Sequence, residues 1–484
     1  MNDQNRNLSL LMDFYELTMA NAYLVNGHKD TIGYYDLYFR KAPDKASFAI
    51  VAGLDTAIDY LENLHFTDEE IEFLRSKNLF AEEFLEYLRN FKFECDVWAI
   101  PEGSVVFHDE PLMIVRGPYI QAQLLETMLL LVINHQSMIA TKANRMVRAS
   151  EGRAVMEFGS RRAQGADAAN LGAKAAYIAG VAGTANTLAD YKYGTPALGT
   201  MAHSWVQSFD TELESFETYA KIYPHATTLL IDTYDTLRSG VPNAIKCFDN
   251  ILKPQGIRPV GVRLDSGDMA YLSKETRKML DQSGYEDVNI VSSNSLDEFK
   301  IRDLLLQGAK IDSFGIGENL ITSKSNPVFG GVYKLVAIDE DDKHMPKIKI
   351  SENIEKITTP GFKQVYRIYD SETHKAKADL ITLHDEVIDT TKPLTIFHPL
   401  YTWKRKTIHH YYLKPLLVPI YEKGKLVYER PSLEEVRKHC QDELETLWEE
   451  YKRFDTPQLY KVDLSQKLWD LKNDLLNKVK ANFD

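Results

Sequence analysis

Six short apolar runs in the middle of the chain each end in residues able to do chemistry. AVMEF (154–158) runs into Gly159-Ser160-Arg161-Arg162, ALGTMA (197–202) into His203-Ser204, and TLLI (228–231) into Asp232-Thr233-Tyr234-Asp235. PVGV (259–262) runs into Arg263-Leu264-Asp265-Ser266-Gly267-Asp268, NIV (289–291) into Ser292-Ser293-Asn294-Ser295, and DSF (312–314) into Gly315-Ile316-Gly317-Glu318-Asn319. Ordinary strand-to-helix caps need Ser, Asp and Gly, but have no use for an imidazole or a guanidinium. Arg161, His203 and Arg263 therefore mark a site that holds anions and moves protons.

Each cluster has its own chemistry. Arg263 stands beside Asp265 and Asp268 on one turn: the guanidinium suits bidentate capture of a carboxylate or phosphate, and the aspartates suit ribose hydroxyls or Mg²⁺. A solvated salt-bridge cluster is the plainer reading of the same residues. Arg161 and Arg162 add a second positive site. His203 can shuttle protons or act as a nucleophile if a carboxylate orients its other nitrogen. Gly315 and Gly317, with Ser292, Ser293 and Asn294 one run earlier, offer free N–H groups and hydroxyls to a phosphate. The Gly-Ile-Gly is weak alone, since it lacks the third glycine of a dinucleotide fingerprint, and no GxxxxGK[ST] loop occurs in the chain. LLIDTYDT (229–236) superficially matches the acidic signature of Rossmann-like phosphoribosyltransferases but has no Thr-Gly-Thr loop after it, so it carries no weight.

These clusters need a scaffold. Helix-like segments at 167–179, 212–222, 242–253, 269–282 and 297–307 separate the runs, at the roughly 20 to 30 residues of a βα unit. Polar residues at successive strand ends are how a (β/α) barrel builds a site. Upstream, residues 8–25 read as a helix in which Tyr15 is, from spacing alone, an amphipathic core residue. A strand at 32–40, helices near 53–64, 68–76 and 81–91, and strands near 96–100, 104–107 and 111–115 follow. The apolar stretch 120–148 reads as buried helix, with His135 a hydrogen-bonded core histidine. Downstream, Gly and Pro punctuate short strands at 332–338, 346–351 and 364–369, then helices at 432–453 and near the C-terminus. The expected fold is α/β: an irregular (β/α) barrel (121–325), and an α+β domain built from an N-terminal segment (1–120) and a β-rich, then helical, C-terminal segment (326–484).

With 484 residues, the chain has room for two or three domains. Its net charge of −13 argues against nucleic acid or an anionic membrane as partner, so any anionic ligand must be held by local cations and N–H groups. Cys95, Cys247 and Cys440 are far apart and form no CxxC pair, which excludes a disulfide framework or zinc site and fits a reducing cytoplasm. No wholly apolar run reaches the roughly 18 residues that span a bilayer, and MNDQNRN is no signal peptide.

Seven segments, in order, together resemble the nicotinate phosphoribosyltransferase family, type II phosphoribosyltransferases of NAD salvage: LLMDFYELTMANAY (10–23), FGSRRAQG (158–165), GTMAHSW (199–205), LLIDTYDTLRSGVPNA (229–244), GVRLDSGDM (261–269), SSNSLDE (292–298) and FGIGENLITS (314–323). The resemblance runs over nearly the whole chain. It implies ATP-coupled joining of nicotinate to 5-phosphoribosyl 1-diphosphate, giving nicotinate mononucleotide and pyrophosphate, with His203 as a phosphohistidine. It implies Mg²⁺ as cofactor, with ligands left open, and ATP as co-substrate. Thr200 and Arg263 match positions that contact nicotinate, and Thr322 one that contacts the phosphoribosyl diphosphate. Arg161 and Asp265 match motif positions that serve substrate, diphosphate or ribose, Asp265 being counted with His203 as catalytic. Tyr15 matches the aromatic residue that stacks on the pyridine ring from the neighbouring subunit, so a homodimer with shared sites is expected. A sister enzyme for nicotinamide or quinolinate is the nearer alternative, and a non-catalytic phosphosugar-binding barrel the more distant one.

Overall fold

The structure, a computed structural model, describes residues 6–341 and 343–481. The chain divides into two compact units, Ile139–Pro327 and a second made of the residues up to Met138 together with those from Val328 onward. The first division falls inside the helix Glu126–Ala149.

The 139–327 unit is built on a six-stranded sheet in the order Gly183–Thr184, Ala154–Glu157, Ser313–Ile316, Asn289–Ser293, Gly261–Leu264 and Thr228–Leu230. Every pairing in it is parallel, so each strand must be followed by a crossover, and helices supply them. Sheet hydrogen bonding does not join Gly183–Thr184 to Thr228–Leu230 among the described residues. The helices start where the sequence places capping groups: Thr211 before Glu212–Ile222, Asp268 before Met269–Gln282 and Asp297 before Glu298–Leu306 each accept from a first-turn N–H. Leu229, Leu230, Val262, Leu264 and Ile290 of the strands pack with Phe216, Val241, Phe248 and Leu280 of the helices in one core. Burial on both faces is why these strands read as short apolar runs and not as alternating ones.

One expected strand is absent. Of ALGTMA only Ala197 makes a bridge, to Thr184, and the edge strand is Gly183–Thr184. Thr184 exhausts its ladder bonds on Pro196 and Leu198. Beyond Gly199 the chain leaves the sheet, and Thr200 and Met201 turn their oxygens to Arg263.

The stretch Tyr119–Ala149 is long and apolar enough to cross a membrane by length and composition, yet 67% of its most apolar window is buried inside the protein. Within it Lys142 and Arg145, almost wholly buried, both pair with the buried carboxylate of Glu298. Paired buried charges of this kind belong to a protein core. His135 is half-buried, and its Nε2 finds no hydrogen-bond partner among the described residues, contrary to the bonded histidine expected. Burial holds its pKa below the usual histidine value.

In the other unit a seven-stranded sheet interleaves the two ends of the chain. Its order is Lys343–Pro346, Gly331–Glu340, Ile32–Phe39, Met113–Pro118, Asp96–Ala99, Val418–Glu422 and Lys425–Leu426. Ile32–Phe39 lies antiparallel between Gly331–Glu340 and Met113–Pro118, which explains why no linker composition marks off either segment. A second sheet, in the order Tyr411–Pro415, Lys363–Asp370, Ala376–Leu383 and Val462–Leu464, buries Arg367 against Asp379 and Glu443. The strand expected at 346–351 instead ends at Pro346, which has no N–H for a ladder. The three cysteines are buried and free.

Candidate active site

Arg263 sits at the end of Gly261–Leu264, its side chain only 16% exposed. Its Nε donates to Ser293 Oγ at 2.9 Å and its Nη2 to Asp265 Oδ1 at 2.9 Å. Nη1 makes two longer bonds, 3.1 Å to Thr200 Oγ1 and 3.4 Å to the Met201 carbonyl. The guanidinium is thus fixed in plane by three neighbouring segments, with the weakest bonds on one nitrogen.

Asp265 links this cation to the histidine. Its Oδ1 also accepts a short bond from the Ser293 hydroxyl, and its Oδ2 lies 3.8 Å from His203 Nε2. Burial pushes the Asp265 carboxyl up, but the Ser293 hydroxyl, Arg263 and His203 outweigh it and hold it below the usual aspartate range. His203 begins the short helix His203–Gln207, with its Nδ1 3.1 Å from the Thr233 hydroxyl. The sequence argument asked for a carboxylate to orient the imidazole; here a hydroxyl meets one nitrogen and a carboxylate approaches the other. Asp232, on the strand end before Thr233, accepts from the Asp265 backbone N–H at 2.9 Å and the Ser266 hydroxyl at 2.6 Å. Its Oδ1 is buried without a partner among the described residues.

The glycine loop lies on the neighbouring strands. A Cβ at Gly315 would meet the Phe158 ring at 2.6 Å, so only glycine lets Ala154–Glu157 and Ser313–Ile316 close up there. Phe158 donates its N–H to the Ile316 carbonyl and its ring faces the Arg263 guanidinium at 5.8 Å. Gly317 precedes the short helix Glu318–Ile321, and Thr322 at its end donates to the Glu318 carbonyl. Ser293 rather than Ser292 joins the Arg263 network, because adjacent strand residues face opposite ways; Ser292 Oγ is buried and unpartnered among the described residues. Asn294 is exposed in a left-handed conformation (φ 95°), and Arg161 is exposed on the turn Ser160–Arg162.

Tyr15 belongs to the other unit, on helix Phe14–Val25, and is 44% exposed. Burial, then hydrogen bonding to Glu126, pushes its hydroxyl pKa up. The adjacent Glu16 is buried, and its Oε1 accepts from the backbone of Asp13 and Thr127 and from the Thr127 hydroxyl, which fixes the start of this helix.

Thr200, Arg263 and Asp265 therefore form one bonded group with His203 3.8 Å from Asp265, while Arg161, Asn294, Gly315 and Gly317 stand at or just beyond strand ends of the same sheet and Thr322 at the end of the helix Glu318–Ile321. Asp232, Thr233 and Phe158 went unassigned in the sequence, and Ser293 reads there as a phosphate contact and not as a partner of Arg263. Their signal was position, since each lies at a strand's C-terminal end.

Three family models match in succession: the nicotinate phosphoribosyltransferase (NAPRTase) N-terminal domain at residues 10–134, the nicotinate phosphoribosyltransferase (NAPRTase) family at 153–373 and the nicotinate phosphoribosyltransferase C-terminal domain at 362–472. The nicotinate phosphoribosyltransferase of Bacillus subtilis (strain 168) is 44% identical over 479 residues, covering 99% of this chain and 97% of that protein. That of Dictyostelium discoideum is 36% identical, covering 96% and 88%. The crystal structure of human nicotinic acid phosphoribosyltransferase superposes with a TM-score of 0.84 at 31% identity, covering 96% of this chain and 99% of that one. Full-length matches at these identities, in chain order and over both units, place the chain in the nicotinate phosphoribosyltransferase family.

Proposed function

We propose that this protein joins nicotinate to 5-phosphoribosyl 1-diphosphate, forming nicotinate mononucleotide and pyrophosphate, with ATP hydrolysis coupled through phosphorylation of His203. The observation that carries the reading is the Arg263 guanidinium, planar and held on three sides, with Thr200 on its loosely bonded nitrogen. A nicotinate carboxylate would replace the two long Nη1 bonds, and the freed Thr200 hydroxyl would then donate to it. Two short bonds to Ser293 and Asp265 would keep the cation in place meanwhile.

His203 suits the phosphoryl acceptor role. With Nδ1–H donated to the Thr233 hydroxyl, the lone pair of Nε2 is free to attack. The Nε2–phosphorus bond forms as the terminal phosphate leaves ADP. The new negative charge lies beside Asp265, whose hold on Arg263 is then contested, which ties phosphorylation to the nicotinate-binding cation.

A Mg²⁺ ion held chiefly by substrate phosphates needs only one or two carboxylates from the protein. Asp232, with its unpartnered buried Oδ1, and Asp265 fit that demand. When bound, the ion would neutralise charge developing on the departing diphosphate. Backbone N–H groups at Gly315 and Gly317 and the hydroxyl of Thr322 would hold phosphate oxygens, with Arg161, Ser292 and Asn294 serving the phosphoribosyl diphosphate. Tyr15 would supply the face for the pyridine ring across a homodimer, two shared sites per pair. Three buried free thiols fit a cytoplasmic enzyme.

A panel of bases tests the reading. Pyrophosphate release from 5-phosphoribosyl 1-diphosphate is expected with nicotinate and to be weak with nicotinamide or quinolinate. Equal rates on nicotinamide, which brings no charge to Arg263, would reject it.

A further inference from the structure

The antiparallel pair Leu394–Phe397 and Arg405–Ile408 ends in a tip unlike the rest of this acidic chain. The chain has 70 acidic residues against 57 Lys and Arg, yet Lys404, Arg405 and Lys406 follow one another with no acid nearby in sequence. None of the three has a carboxylate within ion-pair distance among the described residues. Lys406 is partly desolvated, and burial, then Lys377 and Lys461, holds its pKa below the usual lysine value. Those two lysines lie on or beside the strands of the adjoining sheet, Ala376–Leu383 and Val462–Leu464.

Aromatic rings accompany these cations. Trp403 is 73% exposed and meets the Tyr401 ring edge-on at 5.3 Å, and Lys404 Nζ lies 4.8 Å from the Tyr401 centroid. The tip is shaped by its own bonds. His398 Nδ1 accepts from the backbone N–H groups of Leu400 and Tyr401, the His398 backbone N–H donates to the Lys404 carbonyl, and the Lys404 backbone N–H donates to the Tyr401 carbonyl. Burial holds the His398 pKa below its ordinary value, which keeps Nδ1 available as an acceptor.

We propose that this tip is a binding site for a free nucleoside polyphosphate, its base stacked on Trp403 and its phosphates held by Lys404 and Lys406, Arg405 being turned the other way, over Phe397 and bonded to the Thr402 carbonyl. An exposed aromatic ring next to lysines that have no carboxylate partner among the described residues is the combination that holds a base and its phosphates, because stacking tolerates any base and the charges follow the phosphates. The net charge of −13 disfavours a long nucleic acid strand, whose many phosphates would be repelled by the chain as a whole. The site lies in the unit outside the Arg263 network and is independent of the catalytic reading.

Trp403 itself reports occupancy. Tryptophan fluorescence of the full chain is titrated with ATP, with inorganic triphosphate and with a single-stranded RNA oligomer, and repeated on Trp403→Leu and on the double variant Lys404→Glu, Lys406→Glu. The part of the ATP quench that Trp403→Leu removes is expected to vanish in the double variant too, while nicotinate turnover in both stays within twofold of native. Triphosphate, which cannot stack, is expected to bind about tenfold more weakly than ATP. A quench identical in all three proteins would overturn the site, and tighter binding of the RNA than of ATP would overturn its assignment to free nucleotides.

Discussion

Arg263 Nη2 donates to Asp265 Oδ1 at 2.9 Å, and the same oxygen takes the hydroxyl of Ser293, which also receives Arg263 Nε. The three residues come from the ends of two adjacent parallel strands, so the triangle is as rigid as the sheet. A cation held this way has one side committed to the protein and one available to an anion.

Removing the cation should be costly. Arg263→Ala is expected to lower kcat/KM for nicotinate by about 2–5 kcal/mol, the range for truncating one partner of a buried charge pair. Arg263→Lys should recover little, because one ammonium cannot bond Ser293, Asp265 and Thr200 in a plane. Steady-state kinetics with varied nicotinate checks both.

Ser293→Ala should act through Asp265. Losing the hydroxyl lets burial raise the Asp265 pKa and leaves Arg263 Nε unbonded, at a cost on the order of 1–3 kcal/mol. A carboxyl with a depressed folded pKa stabilises above its unfolded value and loses that contribution as pH falls through the folded one. Acid unfolding of Ser293→Ala should therefore begin at higher pH than in the native chain, as circular dichroism against pH would record.

A buried acid in the other unit gives the opposite sign. Glu110 is fully buried, its Oε2 accepts from the Phe107 N–H, and its Oε1 has no partner among the described residues. Burial, then the charge of Asp379, pushes its pKa well above the usual glutamate value. A raised folded pKa means stability is complete below the unfolded value of about 4.3 and is lost as pH rises through the folded one. Glu110→Gln, always neutral, should thus melt higher than the native chain at alkaline pH and show a flatter Tm profile by calorimetry.

How much of this was legible depended on whether the information was local. The βα alternation is set within a few residues, and five of the six expected strands form. The role of Ser293 over Ser292 hangs on which face of a strand turns inward, a register that neighbouring strands decide. Thr233 meets His203 from thirty residues away, and Gly183–Thr184 is a strand only because it pairs with Ala154–Glu157, nearly thirty residues upstream. Tyr15 carries no local sign of function; a half-exposed tyrosine on an apolar helix looks structural, and only the family resemblance singles it out.

The shared-site proposal predicts complementation. Tyr15→Ala and Arg263→Ala chains, each inactive alone, should form heterodimers with one intact site, giving about a quarter of native activity if chains assort at random. Activity absent from a verified heterodimer would mean that Tyr15 serves its own chain or only packs.

The most direct measurement follows phosphate from ATP labelled at its terminal position, together with nicotinate mononucleotide formed, in native and His203→Ala protein. The native chain should form an acid-labile phosphoprotein and couple ATP hydrolysis to mononucleotide synthesis, whereas His203→Ala should lose both the label and the coupling while retaining some ATP-independent synthesis. Full labelling and coupling in His203→Ala would contradict the account.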